Sequence, residues 1–498
     1  MTFDVHQLDT FLLVGAGVTL LAILAVRVSS RAGLPSLLLY LLMGVALGDS
    51  GIGIHFNDAE LAHALGFAAL ALILADGGFS TSWREVRPSM RLGLSLATLG
   101  VAVSVTIVAL GAHYLLGLSW ELSVLLGAVT SPTDAAAVFS VLRGLPLSPR
   151  LVGALEAESG LNDAPTVVLV TLISTGAVAE HGLPYTLAVI VFELVAGLLI
   201  GLAVGFGGAW LMRRAALPSS GLYPLAVLCL ALLAYSASAG LHASGFASVY
   251  VAALILGNSD LPHRTATRSF AEGIAWLAQI GLFVMLGLLL TPSRITPSVI
   301  AIAVAGSLLL TFVARPLTVW VSSVVQPMPW RETAFVSWAG LRGAVPIVLA
   351  TIPLAEGVTD AKRLFDIVFV IVVISTLLTG PTLPAVAKRL RVTRRSEPRQ
   401  LDLEVAPLER IAADMLQVTI SPVSRLHGVE VGELRLPAGS SVSMLVRDGQ
   451  AIVPERRTVL RRGDDLLVVT PRGLREPTVQ RLRIVSAHGR LGRWLDER

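Results

Sequence analysis

Between Leu122 and Leu142 the chain reads LSVLLGAVTSPTDAAAVFSVL. The run is apolar and long enough to cross a bilayer as a helix, yet it carries a proline and an aspartate at its middle. Pro132 removes a backbone donor and clashes with the preceding turn, so a helix must break there. Broken backbone at membrane depth survives only where it is buried in protein or lines a cavity, and an ionisable group at that depth marks function by default. Asp134 sits at the break. A plain proline kink with a capping aspartate is the alternative, but a second polar cluster follows at once: Glu158-Ser159-Gly160-Leu161-Asn162-Asp163-Ala164-Pro165, again ahead of an apolar run.

The rest of the chain has the same character. Of its 498 residues 54% are hydrophobic and 14% charged, with a mean hydropathy of +0.75, which is the composition of a polytopic α-helical membrane protein. About thirteen apolar runs of spanning length follow one another up to residue 387. Arg27, Arg31, Arg84, Arg87, Arg91, Arg143, Arg150, Arg213, Arg214, Arg264, Arg268 and Arg331 fall in alternate loops. The intervening loops hold only Arg294, Lys362 and Arg363, along with acids such as Asp49, Asp58 and Glu121. The positive-inside rule places the arginine-rich loops in the cytoplasm. An odd number of spans then puts the N-terminus outside and the C-terminus inside. The net charge of +4 comes from these loops and the tail, and no basic and aromatic patch points to nucleic acid. Cys229 is the single cysteine, which excludes an internal disulfide or a cysteine metal site. The histidines show no metal spacing, and no cofactor motif is present.

From about residue 395 the pattern changes. Residues 391–402 read as a linker. Residues 403–485 alternate apolar and polar positions between turn signals at Pro437-Ala438-Gly439, Asp448-Gly449 and Arg462-Gly463-Asp464, which predicts short strands. The expectation is a small α/β cytoplasmic domain, followed by a tail over 486–498. It has no phosphate-cradling glycine loop.

The chemistry concentrates in three stretches. Glu158 and Asn162 are four apart, and so are Ser159 and Asp163, so each pair shares a helix face. Together with Thr133, Asp134 and carbonyls freed at Pro132, they supply the oxygen ligands that a dehydrated Na⁺ or K⁺ prefers. The monovalent cation is thus expected at Asp134, Asp163, Ser159 and Thr133. A capping box at a helix start is the alternative for Glu158 and Ser159. Gly160 leaves room for a neighbouring helix. In the twelfth run Gly340-Leu341-Arg342-Gly343-Ala344-Val345-Pro346 predicts a second interrupted helix. Arg342, inside an apolar span, needs an anionic partner, and Glu158 is the candidate; a snorkelling interfacial arginine is the alternative. Arg315-Pro316 in the eleventh run reads as its cytoplasmic portion. Two interrupted helices in corresponding places of two halves point to inverted repeats around a midplane ion site.

TSPTDAAAV, ESGLNDAP and GLRGAVP, in this order, resemble the monovalent cation/proton antiporters of the first family in the cation/proton antiporter superfamily, over about residues 10–390. The resemblance implies thirteen helices, a homodimer and a core with two crossed broken helices. It also implies that Thr133, Asp134, Glu158, Ser159 and Asp163 surround the ion, with Pro132, Asn162 and Arg342 supporting. The Asn162-Asp163 pair is similar to the electroneutral branch, where electrogenic relatives carry two aspartates. Residues from Leu426 to Val469 resemble the C-terminal half of the regulator of potassium conductance, or TrkA-C, domain. That combination resembles bacterial K⁺/H⁺ antiporters of the inner membrane, with Na⁺/H⁺ exchange as the neighbouring reading. Domains of this kind bind small effectors, so a small-molecule partner is implied. Two other classes fit less well. An intramembrane aspartyl protease would set its aspartates on intact helices, and a gated channel would carry a selectivity filter such as TVGYG. The expectation is a secondary transporter and not an enzyme, in which a cation and a proton compete for buried carboxylates and the core moves against the dimer domain.

Overall fold

A computed structural model describes residues 5–32, 36–48, 51–56, 58–142, 145, 147–393, 401–408, 413–421 and 424–489. Asp49, Arg143, most of the 391–402 linker and residues 490–498 lie outside these. The chain forms two compact units, Met1–Arg394 and Arg395–Arg498.

The first unit is all helix. Its elements are α1 (Val5–Ala32), α2 (Ser36–Leu47), α3 (Ala59–Ser80), α4 (Trp83–Tyr114), α5 (Trp120–Thr130), α6 (Ala135–Val141), α7 (Pro149–Ser174), α8 (Ala177–Arg214), α9 (Leu222–Gly240), α10 (Gly245–Asn258), α11 (Arg264–Leu289), α12 (Pro297–Ser322), α13 (Trp330–Trp338), α14 (Val345–Ala355), α15 (Ala361–Thr379) and α16 (Leu383–Leu390). Helix occupies every apolar run read from the sequence. By length and apolarity, six helices among the described residues can cross a membrane, or eight if each bent pair counts as one span. That criterion counts only long helices of high apolarity, whereas the thirteen spans read from the sequence include shorter apolar helices. Short helices such as α2 and α10, and helices that break, fall outside it.

The breaks have local causes. Helices α5 and α6 are bent by 51° across Ser131–Asp134, where Pro132 denies the helix a donor. Helices α13 and α14 are separated by the non-helical stretch 339–344, which holds the two glycines flanking Arg342. In α8, Gly182 leaves helical geometry (φ 77°) just before Pro184. Helices α4 and α12 each contain a π turn, at Leu96–Gly100 and Leu310–Ala314. Such turns recur at functional sites. Thr318 Oγ1 of α12 donates to Gly100 O in the π turn of α4 at 3.4 Å.

The buried apolar side chains of this unit form one continuous cluster. Lipid is as apolar as leucine, so van der Waals packing and interhelical hydrogen bonds hold such helices together. The surface is correspondingly apolar. Leu12, Leu13, Leu20 and Leu24 of α1 are exposed, as are Leu187, Val191, Phe192, Leu199, Phe206 and Trp210 of α8.

The second unit is a five-stranded antiparallel sheet with one helix. Its strands are β1 (Leu401–Leu408), β2 (Ala413–Ile420), β3 (Ser441–Arg447), β4 (Gln450–Ile452) and β5 (Asp465–Pro471), in the order β1-β2-β5-β3-β4, with α17 (Arg475–His488) following. Alternate residues Leu416, Val418 and Ile420 of β2, and Leu466 and Val468 of β5, are buried with Val479, Leu482 and Val485 of α17, as the two-residue period of a half-buried strand requires. Asp448 and Gly449 both have positive φ (50° and 77°), the requirement of the tight turn joining β3 to β4. Arg447 makes a bidentate pair with the buried Asp464, both bonds at 2.8 Å. That carboxylate holds the guanidinium above its ordinary range. Helix α17 runs to His488, past the boundary read at residue 485.

Candidate functional site

The two breaks cross. Asp134 N donates to Leu341 O at 2.9 Å, tying the α5–α6 break to the α13–α14 break. Arg342 then completes the junction. Its Nη1 donates to Ser131 O at 2.9 Å and to Pro132 O at 2.8 Å, and Thr376 Oγ1 of α15 donates to Arg342 O at 3.2 Å. A broken helix leaves carbonyls without partners and a partial negative charge at its C-terminal end. A buried guanidinium, 3% exposed, meets both needs at the end of α5.

The glycines beside Arg342 are steric requirements. A Cβ on Gly343 would run into Asp134 Oδ2, and one on Gly340 would stand 2.8 Å from Arg315 Nε. Real side chains never approach so closely. GLRG is therefore a segment that lets two polypeptide breaks and a second arginine share one small volume.

Helix α7 supplies the other wall. Asn162 Nδ2 donates to Thr133 Oγ1 at 3.0 Å. Ser159 Oγ accepts from Ala135 N at 3.2 Å, and Asp134 Oδ1 accepts from Ala137 N at 3.1 Å, capping α6. The capping role weighed for Asp134 is thus present, and it uses one oxygen of the carboxylate. Thr133, Ser159 and Asn162 thus meet at the break, and Asp163 follows Asn162 directly on α7. Asp163 is 6% exposed, and among the described residues its Oδ1 has no hydrogen-bond partner, nor has Asn162 Oδ1. Buried polar atoms are nearly always paired, so an unpartnered carboxylate oxygen in a membrane interior stands out. Thr166 Oγ1 lies at 2.9 Å from Asn162 O and 2.8 Å from Asp163 O and donates there, bracing the helix just above Pro165. Gly160 does face a neighbouring helix: a Cβ there would strike the Tyr250 ring of α10.

Glu158 corrects the sequence reading. Its partner is Arg315, not Arg342. Arg315 binds the carboxylate through both terminal nitrogens, Nη1 to Oε1 and Nη2 to Oε2, the latter at 2.9 Å. Nη2 also donates to Val336 O at 3.2 Å. Arg315 is 4% exposed, so it is a buried member of the site's support and no cytoplasmic end marker. It follows the π turn of α12 directly. The extra residue in that turn rotates the following helix face, and no apolar periodicity announces such a turn. The available signal was the apolar stretch on both sides of Arg315, since a guanidinium flanked by apolar helix needs an anion. Arg342 instead spends its donors on carbonyls.

Other acids stand apart. Asp366 pairs with Arg294 at 3.2 Å. His113 accepts no role at the site: its ring stacks on Trp120 with centroids 4.0 Å apart. Among the described residues no group of three His, Cys, Asp or Glu side chains could hold a metal. Oxygens of Asp163, Asn162, Asp134, Thr133 and Ser159 lie at the break, while both carboxylate oxygens of Glu158, also expected at the ion, are taken up by Arg315.

The transmembrane sodium/hydrogen exchanger family matches residues 17–389, three-quarters of the chain and all of the residues just described. The chain belongs to this family of cation/proton antiporters. The TrkA-C domain matches residues 415–476. A K(+)/H(+) antiporter NhaP of Alkalimonas amylolytica is 36% identical over 474 residues, covering 92% of this chain and 81% of the relative. A K(+)/H(+) antiporter NhaP2 of Shewanella baltica is 36% identical over 476 residues, covering 94% and 82%. The Na(+)/H(+) antiporter ApNhaP of Aphanothece halophytica is 28% identical over 410 residues, covering 76% of each. Among solved structures, the sodium proton antiporter MjNhaP1 of Methanocaldococcus jannaschii matches 77% of this chain and 99% of its own, with a TM-score of 0.66 at 21% identity. The membrane unit therefore has the polytopic helical antiporter fold.

Proposed function

We propose that the protein exchanges K⁺ for H⁺ across the bacterial cytoplasmic membrane, one for one, with both ions competing for Asp163 assisted by Asp134. The observation that carries this is the orphaned Oδ1 of Asp163 at the crossing of the two breaks. Removal from water disfavours a bare carboxylate, so the group must hold either a proton or a cation. A cation needs the charged form and displaces the proton, and a proton expels the cation. Thr133, Ser159 and Asn162 furnish the neutral oxygens that complete a cation's shell. The Glu158–Arg315 and Arg342 bonds keep the walls rigid. Rigid-body movement of this core would expose the site to either side in turn.

Potassium is favoured by the two relatives named as K⁺/H⁺ antiporters at 36% identity, against 28% for the Na⁺/H⁺ relative. A single carboxylate at the Asn162-Asp163 position favours electroneutral exchange. The long exposed apolar face of α8 suits a homodimer in the bilayer, and the arginine-rich loops favour an outer N-terminus and a cytoplasmic tail domain. That domain, lacking a membrane site, would regulate in response to a small effector.

The test is fluorescence dequenching in everted vesicles on adding K⁺ or Na⁺ at one pH. K⁺ should evoke a saturable response that Asp163→Asn abolishes in a normally expressed protein. Normal exchange by that variant would overturn the site, and a response to Na⁺ alone would overturn the choice of ion.

A further inference from the structure

A further acidic residue lies on α8, beyond the site just described. Helix α8 keeps its long apolar stretch from Leu183 to Trp210 with a single charge in it, Glu193. A carboxylate there is costly without a purpose. Its backbone carbonyl accepts from Ser244 N at 3.0 Å, which fixes where the side chain emerges. Glu193 lines a cavity of about 160 Å³ together with Tyr235, Ser244 and Phe246 on one side and Val167 and Thr171 of α7 on the other. Val167 and Thr171 are four and eight residues beyond Asp163. At 1.5 Å per residue the cavity begins about 6 Å along α7 from the ion site, on nearly the same helix face. It extends to within a turn of the α7 C-terminus, the end opposite the arginine-rich loop at Arg150.

We propose, building on the exchange reading above, that this cavity is the outer vestibule of the transport path and that Glu193 is its acidic way-station for the arriving cation or proton. The cavity touches the ion-site helix on one side and α8 to α10 on the other, so it lies where the two would part as the site opens. Glu193 is the only carboxylate among its lining residues. His242 lies in the α9–α10 connection, two residues before Ser244, whose N–H bonds the Glu193 carbonyl, and Tyr235 supplies the other titratable group on the lining. A negative charge at the mouth concentrates cations before they reach Asp163. A single charge at about 4 Å in water changes a local cation concentration about fivefold.

The experiment compares right-side-out with everted vesicles. With Glu193→Gln, the K⁺ concentration giving half-maximal exchange should rise about fivefold when K⁺ is presented at the outer face. It should stay unchanged at the cytoplasmic face, with the maximal rate kept, and Glu193→Asp should restore the outer value. An equal change at both faces, or none, overturns the proposal. A second measurement does not need transport. In a Cys229→Ser background, Thr171→Cys should react with small thiol reagents added outside, faster with a cationic reagent than with an anionic one. Glu193→Gln should lower that ratio about fivefold; an unchanged ratio, or no reaction from outside, overturns the proposal. Because this readout persists when Asp163→Asn stops exchange, failure of the vestibule and failure of the exchange reading are told apart.

Discussion

Replacing Arg315 by alanine strands the Glu158 carboxylate, which sits 2% exposed in the membrane interior. Three donor contacts are lost: two to the carboxylate and one to Val336 O. Breaking a buried, hydrogen-bonded pair by removing one partner costs roughly 3–5 kcal/mol, because the remaining charge keeps its desolvation penalty without its counter-charge. Both groups here are almost fully buried, so the upper part of that range applies. Glu158→Ala should cost a similar amount by stranding Arg315. The double replacement removes both charges together and should cost clearly less than the sum. The coupling should reach about 2–3 kcal/mol, at the high end for residues in contact. Arg342 gives the control. It bonds the carbonyls of Ser131 and Pro132, and among the described residues the ion pair of Glu158 is with Arg315, so the Arg342→Ala and Glu158→Ala effects should add much more nearly. The assay is thermal or denaturant unfolding of the purified protein, read by intrinsic fluorescence. Strong coupling of Glu158 to Arg342 and weak coupling to Arg315 would refute the assignment of partners.

Three further outcomes follow from the geometry. Gly343→Ala puts a methyl group against Asp134 Oδ2. It should abolish exchange and cost about 1–3 kcal/mol by overpacking, whereas Gly273→Ala, whose Cβ meets nothing within 4 Å, should leave vesicle exchange intact. If exchange is electroneutral, clamping the membrane potential with an ionophore should leave the proteoliposome rate unchanged; a clear voltage dependence contradicts it. In the tail, Asp464→Ala removes the partner of Arg447 and the acceptor for Arg461 N at 2.7 Å, and should unfold that domain while exchange persists with an altered pH or effector response, as should truncation after Arg394. Loss of exchange in a truncated protein that still folds would make the domain part of the transport machinery.

What the sequence made legible was chemistry out of place. A proline and an aspartate in an apolar run, or an arginine between glycines, announce themselves because a membrane helix has no ordinary use for them. Thr133, Asp134, Ser159, Asn162 and Asp163 were singled out that way, and the bonds of Asn162 to Thr133 and of Ala135 to Ser159 join the two stretches. Pairings between distant helices were not legible. Glu158 could choose between two buried arginines, and the choice turns on the π turn before Arg315, which shifts a helix face without changing composition. The spans were legible as apolar runs, and so were the breaks at Pro132 and at Arg342, but not the departure of Gly182 from helical geometry or the π turns of α4 and α12. In the tail the strands were visible through their two-residue period. The domain was expected to be α/β, but the position of helix α17 was not read among its charges, although Val479, Leu482 and Val485 mark its buried stripe.

Competition at Asp163 is the centre of the account, and proton release on cation binding tests it most directly. Purified protein in weakly buffered detergent solution, titrated with K⁺, should release about one proton per protomer as the cation takes the carboxylate. Release should saturate with K⁺ and vanish in a folded Asp163→Asn variant. K⁺ binding without proton release, or undiminished release from that variant, would contradict the mechanism.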